Sequence, residues 1–391
     1  MAAKREFDIV LFGATGFTGA LTAEYLARHG GPSLRWALAG RSLDKLQKVR
    51  ERLAAVAPGF GAIKLLLADV TDPASIQHIA ESARVVITTV GPYIQYGEPL
   101  VAACAHAGTD YVDLTGEPEF VDLMWLRYHE LAVKTGARIV HCCGFDSIPH
   151  DLGVWFTVGQ LPANVPIKIE GFVRAGGTFS GGTLHSAVTA FSRFRSSMHL
   201  GKQRRQAQPL PAGRKIGSTG ESVHFEKELD GWAVPMPTID PQIVRRSAAA
   251  LDRYGPDFRY GHFLLLKKLT SVLVLLGGVA AVFAGAQFRL TRDRLLRIKE
   301  AGDGPSPEQR SKGWFKVTFI GTGGGKNVET QVSGGDPGYG ETAKMLAESA
   351  LCLAFDELPR LGGVLTPVQA MASVLLERLQ LAGIRFEVLN R

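Results

Sequence analysis

Up to Cys142 the chain alternates between short apolar, β-branched runs and longer stretches with apolar residues at helical spacing. The strand-like runs are Phe7–Phe12, Arg35–Ala39, Ile63–Ala68, Ala83–Val90, Asp110–Leu114 and Ala137–Cys142. Between them lie LTAEYLARHG, LDKLQKVRERLAAV, PASIQHIAES, PLVAACAHAG and EFVDLMWLRYHELAVKTG, and several of these end in a Gly suited to cap a helix. Such alternation predicts a parallel sheet with helices on both faces. Further along, residues 263–288 read FLLLKKLTSVLVLLGGVAAVFAGAQF, and the last twenty of them carry no charge. That is long enough to cross a bilayer as a helix. Near the end, Thr366 predicts an N-cap, Pro367 a first helical position and Gly383 a C-cap, with IRFEVLN as a final strand.

The fold class expected is α/β, opening with a Rossmann domain over residues 1–150. The stretch GATGFTG, Gly13 to Gly19, follows the first strand and precedes the first helix, the arrangement that makes a glycine loop a phosphate cradle. Gly13 makes the turn, Gly16 admits the pyrophosphate to the backbone, and Gly19 lets helix and strand pack closely. Backbone N–H groups of Thr15, Phe17 and Thr18 complete the cradle at the helix start. The second strand ends in AGRS with no acid to hold a ribose 2′-hydroxyl. Arg41 and Ser42 stand there instead, which favours a 2′-phosphate and therefore NADPH. Asp69 either accepts from the adenine amino group or closes a turn. Gly91 and Pro92 turn the chain beside the nicotinamide half. Tyr93 after them is either an acid at the reacting ring or a packing lid.

A chain of 391 residues, 46% hydrophobic and 21% charged, is long enough for two domains. Four sparse cysteines without a CxxC pair give no sign of a metal site and suit a reduced, cytoplasmic compartment. The net charge of +7 favours acidic partners. Residues 171–220 hold no Asp or Glu but carry Arg174, Arg193, Arg195, Lys202, Arg204, Arg205, Arg214 and Lys215. This is either a solvated surface or an attraction for anionic lipid or an acyl carrier protein. Nucleic acid is not expected, since no helix-turn-helix, zinc finger or RNA-binding aromatic set is present.

Basic residues flank the apolar segment at both ends, Lys267 and Lys268 before it and Arg289, Arg292, Arg294 and Arg297 after it. A single span would divide one domain across a membrane. The expectation is a hairpin turning near Gly277–Gly278 and dipping into one leaflet, as peripheral or monotopic contact. The alternative is a buried helix pair or a homodimer contact.

Several motifs together resemble the saccharopine-dehydrogenase-like oxidoreductases, and within them the trans-acting enoyl reductases. They are GATGFTG, AGRS, VGPYIQYGEPLVAACAHAGTDYVDLTGE, CCGFDSIPHDLG, GGTLHSA, GGDPGYGETAKMLAESAL and GGVLTPVQAM, spread over nearly the whole chain. The resemblance implies a second α/β domain over 151–338, containing the apolar segment. It also implies that residues 339–391 pack back toward the first domain. The reaction implied is NADPH-dependent reduction of a carbon–carbon double bond in a lipid- or polyketide-like acyl chain carried by a synthase. A saccharopine-type reaction on an amino-acid adduct, or a dinucleotide fold without turnover, are the alternatives. Such a reduction needs a proton donor. Asp146, Ser147 and His150 in CGFDSIPHD could form a relay; capping by Asp146 and a carbonyl bond from His150 are the other reading. Tyr93 and His185 are further candidates.

Overall fold

The computed structural model describes residues 5–57, 59, 62–176, 192–220, 222–288, 291 and 304–389. The chain divides into two compact units, Met1–Phe145 with Tyr339–Ala382, and Asp146–Gly338 with Gly383–Arg391.

The first unit is built on a parallel sheet of β1 (Phe7–Phe12), β2 (Trp36–Gly40), β3 (Lys64–Leu67), β4 (Ala83–Thr88), β5 (Asp110–Asp113), β6 (Arg138–Val140) and β14 (Gly363–Leu365). The strand order is β14-β6-β5-β4-β1-β2-β3, so the direction of winding reverses between β1 and β4. β1 and β2 are buried along their whole length, as central strands covered on both faces must be. Helices α1 (Phe17–His29), α2 (Leu43–Val56), α3 (Pro73–Ser82), α4 (Tyr93–Tyr96), α5 (Glu98–Ala107) and α6 (Pro118–Thr135) connect the strands. Val10, Phe12, Val86, Ile139, Phe120 and Met124 belong to one buried cluster.

The six expected strands are present, and β14 adds a seventh. Its three residues in GGVLTP are too few to show a period. Their strand conformation rests on register with β6, where Val364 pairs with Ile139. Two late helices complete this unit, α12 (Gly340–Phe355) and α13 (Pro367–Leu381). Thr366 and Gln369 form a capping box at the start of α13. Glu348 of α12 accepts from Tyr25 of α1 at 2.7 Å and from Arg378 of α13 at 2.9 Å, tying three helices together.

The second unit holds a mixed sheet in the order β15-β13-β12-β7-β11-β10-β9, with β8 paired to β11. These strands are β7 (Ile167–Gly176), β8 (Lys215–Ser218), β9 (His224–Glu226), β10 (Gly231–Pro235), β11 (Asp257–Leu266), β12 (Trp314–Gly323), β13 (Lys326–Gly334) and β15 (Arg385–Leu389). Phe172 and Phe263 stack on its core side with ring centroids 5.4 Å apart. Helices here are α7 (Ile148–Gly159), α8 (Phe194–Ala207), α9 (Asp240–Ala250), α10 (Leu269–Gln287) and α11 (Pro307–Ser311). Residues 339–391 do not stay together: the chain leaves the first unit at Gly383, and β15 pairs antiparallel with β13.

Two expectations need correction. The apolar segment is no hairpin. Its first residues finish β11, and Leu269–Gln287 runs as one continuous helix through Gly277 and Gly278. Two helical glycines cost about 1 kcal/mol each, which weakens a helix without turning it, and no proline or polar turn residue stands beside them. Nor is α10 buried: Val272 and Ala286 are its buried residues, while Leu273 and Val274 are 63% and 77% exposed. The basic stretch is also not all solvated. Gln203–Ala207 end α8, and Arg214 donates to the carbonyls of Ala248, Leu251 and Gly255 at 2.7, 3.1 and 3.2 Å, closing the C-terminal end of α9.

Candidate functional site

In a parallel sheet every strand delivers its following loop to the same edge, and here that edge collects the sequence-predicted cofactor residues. Gly13 adopts φ +89°, a left-handed conformation that favours glycine. Its carbonyl accepts from the Thr89 hydroxyl at 3.1 Å, joining the loop after β1 to the loop after β4. A Cβ on Gly19 would stand 2.2 Å from that same carbonyl. A Cβ on Gly16 would meet only the Gly13 carbonyl, at 3.4 Å, so the space above Gly16 is open. Gly16 is also the N-cap of α1 and supplies no side chain to satisfy the first turn. An open space over a helix start that no side chain caps, at a switch point, fits a pyrophosphate.

The ring of Phe17 packs edge-on against Tyr339 of the same unit at 4.8 Å, so Tyr339 supports the phosphate loop. The Thr15 methyl group lies beside Gly40, and the Thr18 carbonyl is engaged by the Thr22 hydroxyl at 2.9 Å. Arg41 follows β2 as an exposed side chain. Ser42 is the N-cap of α2 and accepts from Lys45 N at 3.4 Å. Asp69 closes a turn: one carboxylate oxygen accepts from Thr71 N at 2.9 Å and from its hydroxyl at 2.7 Å. Those bonds, with a smaller contribution from Arg41, hold its carboxyl below the usual range. Gly91 and Pro92 form the turn after β4, and Pro92 is the N-cap of α4.

Tyr93 is not the acid. Its hydroxyl donates inward to the Thr88 carbonyl at 3.1 Å, and its ring packs 5.8 Å from Phe120. Burial, reinforced by the Asp113 carboxylate, makes it a far weaker acid than an ordinary tyrosine. The short helix α4 turns it this way because Glu117 accepts from the backbone of Tyr93 and Ile94 at 2.9 Å each. Tyr93→Phe is expected to lower stability by about 1 kcal/mol and leave kcat unchanged. A large fall in kcat with normal NADPH binding would restore the catalytic reading.

The relay Asp146–Ser147–His150 is not formed either. Ser147 Oγ is buried and has no hydrogen-bond partner among the described residues. His150, 1% exposed, lies beside Asp240 of α9 and His262 of β11. Burial lowers its pKa to about 3, so it is neutral and no general acid near pH 7. Asp146 is different. Its side chain keeps contact with solvent although protein crowds it, and that desolvation, followed by the Asp240 carboxylate, raises its pKa. His185 and the rest of GGTLHSA lie outside the described residues.

Two constellations escaped the sequence reading. Asp113, at the end of β5, accepts from Tyr111 at 3.0 Å, from Thr115 N at 3.1 Å and from Cys142 N at 3.0 Å, and lies 2.6 Å from His141 Nδ1. It fastens the start of the Cys142–Phe145 loop to β5. The D-x-T of Asp113 to Thr115 was its only local signal. The second is His150, Asp240 and His262, whose donor atoms lie within 4.8 Å of one another. No spacing announces it, because the three stand on separate elements. Two imidazoles and a carboxylate are a donor set that could hold a metal ion, contrary to the expectation of none.

Comparison with known proteins agrees with this geometry. The saccharopine dehydrogenase NADP binding domain matches residues 9–140. A Mycobacterium tuberculosis protein provisionally named a trans-acting enoyl reductase is 41% identical over 99% of this chain and 98% of its own length. A trans-acting enoyl reductase of Mycobacterium bovis is 38% identical over 98% and 97%. Among solved structures, apo saccharopine dehydrogenase (L-Glu forming) from Saccharomyces cerevisiae shares the fold. Its TM-score is 0.57 at 12% identity, covering 98% of this chain and all of that one.

Proposed function

We propose that this chain, which belongs to the trans-acting enoyl reductases, reduces a carbon–carbon double bond in an acyl substrate of lipid or polyketide type. It is an NADP-dependent oxidoreductase with a saccharopine-dehydrogenase-type cofactor domain. The observation that carries the cofactor half of the reading is the open space over Gly16 at the uncapped start of α1, with Arg41 and no acid after β2. The family carries the reaction.

When bound, NADPH supplies the hydride for the β-carbon. The backbone from Gly13 to Gly19 would hold its pyrophosphate, and Arg41 and Ser42 would bind its 2′-phosphate. Thr89 holds the Gly13 turn in place. The α-carbon also requires a proton, and Asp146, the solvent-touching acid of the GFDSIPHD turn, would be its donor. His150 and Tyr93 take no part in that transfer.

NADPH oxidation tested with 2-enoyl thioesters, and separately with 2-aminoadipate semialdehyde plus glutamate, distinguishes the readings. Turnover with the enoyl thioesters alone is expected. Turnover only with the amino-acid pair would replace this reading with a saccharopine-type dehydrogenase. Binding of NADPH without consumption in either assay would leave a non-catalytic protein.

Helix α10 supports a greasy substrate held near a lipid surface. It is 19 residues long, and Val272 and Ala286 are its buried residues. Leu269, Leu273, Val274, Leu276 and Phe283 are exposed, and Lys267 and Lys268 stand exposed at its start, where anionic headgroups would meet them. The full chain is expected to float with anionic vesicles. Leu273→Glu with Val274→Glu should reduce that partition by about 10-fold or more, with the melting temperature unchanged. Equal flotation of both proteins would exclude α10 as the contact.

A further inference from the structure

We propose that His150, Asp240 and His262 form a binding site for a divalent transition metal, zinc first among them. The three side chains are buried, and their donor atoms lie within 4.8 Å of one another. His150 Nε2 is 3.8 Å from one Asp240 oxygen, and His262 Nε2 is 3.5 Å from the other. The longer separation exceeds a hydrogen bond, and the shorter stands at its outer limit. Asp240 Oδ1 and His262 Nε2 accordingly have no hydrogen-bond partner among the described residues, although both atoms are buried. Buried polar atoms left unsatisfied are costly and rare.

An ion between them accounts for the arrangement. Tetrahedral ligands at about 2.0–2.1 Å from zinc stand about 3.3 Å from one another. The separations of 3.5 and 3.8 Å run to the two different oxygens of Asp240, and the donor set, which lies within 4.8 Å, reaches that geometry when its widest pair closes by about 1 to 1.5 Å. The outer contacts are those a metal site requires. Tyr260 Oη lies 3.0 Å from His262 Nδ1, which directs the other ring nitrogen toward Asp240. Thr238 donates to Asp240 Oδ2 at 2.5 Å. The rings of His150 and His262 meet at 87° with centroids 4.7 Å apart, so neither can swing aside without displacing the other.

The donor set also selects the metal. Two imidazoles and one carboxylate suit zinc, cobalt, nickel and ferrous iron better than magnesium or calcium, which prefer oxygen. Three protein ligands leave a fourth position for water or another ligand. His150 lies in the first turns of α7, Asp240 begins α9 and His262 stands within β11. A bound ion therefore pins two helices to the second sheet.

Metal content decides the matter on the untagged full chain. The protein is stripped with chelator, dialysed and titrated with zinc chloride and, separately, cobalt chloride. Zinc is read by mass spectrometry and cobalt by its visible ligand-field bands. One tightly bound ion per chain is expected, with bands characteristic of nitrogen and oxygen ligands. Asp240→Asn and His262→Gln should each weaken binding by on the order of 100-fold or more, and Thr238→Val by about 10-fold. His141→Gln, which alters a buried histidine of the other unit, should keep the ion. Wild-type protein that takes up no zinc and gives no cobalt bands overturns the proposal, whether or not the variants fold. So does zinc binding that persists in both Asp240→Asn and His262→Gln.

Discussion

Gly16→Ala is expected to fold almost as well as wild type and to lose NADPH, whereas Gly19→Ala loses both stability and cofactor. The same methyl group is added within one loop, and the difference lies in what it meets. At Gly16 the new Cβ touches only the Gly13 carbonyl, at 3.4 Å, and the φ of −77° and ψ of 166° suit an alanine. Replacing an N-cap glycine costs about 1 kcal/mol. The methyl group then occupies the place where the pyrophosphate must approach the backbone, and the dissociation constant should rise by about 10-fold to 100-fold. At Gly19 the Cβ would lie 2.2 Å from the Gly13 carbonyl and 2.8 Å from Thr89 Oγ1. Neither can yield, because Thr89 is bonded to that carbonyl. The start of α1 must move, at about 3 kcal/mol. Thermal melts and NADPH titration of both variants check the contrast. Wild-type NADPH affinity in Gly16→Ala would show that no phosphate passes over that residue.

Arg41→Glu should reverse the cofactor preference. A charge-assisted bond between a guanidinium and a phosphate contributes about 1.5–3 kcal/mol, so its loss weakens NADPH by about 10-fold to 100-fold. The new carboxylate adds repulsion toward the 2′-phosphate and offers an acceptor to the 2′-hydroxyl of NADH. The ratio of the two dissociation constants should therefore move by on the order of 100-fold or more. Fluorescence titration with both cofactors measures it. An unchanged ratio would mean that Arg41 is a solvated loop charge and that other residues choose the cofactor.

The elements that proved legible in the chain share a short-range cause. β1, β2 and α1 follow from apolar runs, β-branching and glycines within a few residues of each other, and GATGFTG forms its loop where that pattern places it. The start of the helix Pro367–Leu381 was legible for the same reason, since its capping box is local, whereas the kink at Ala372 (φ +37°, ψ −124°) was not. β14 was not, because three residues owe their conformation to β6 alone.

Chemistry was harder to read than fold, and Tyr93 shows why. Its position after Gly91–Pro92 is local, but the direction of its hydroxyl depends on Glu117, which holds α4 from another loop. His150 has the intrinsic affinity of a proton donor, and burial beside His262 and Asp240 removes it.

Local pattern thus sufficed for the parallel α/β unit, the phosphate loop and the apolar stretch, and Arg41 pointed to the 2′-phosphate without any tertiary information. Packing alone decided which polar groups left water and that two histidines and an aspartate from separate elements meet. Backbone preferences act over a few residues. Desolvation and side-chain encounter are set by segments far apart in the chain, and no local spacing records them.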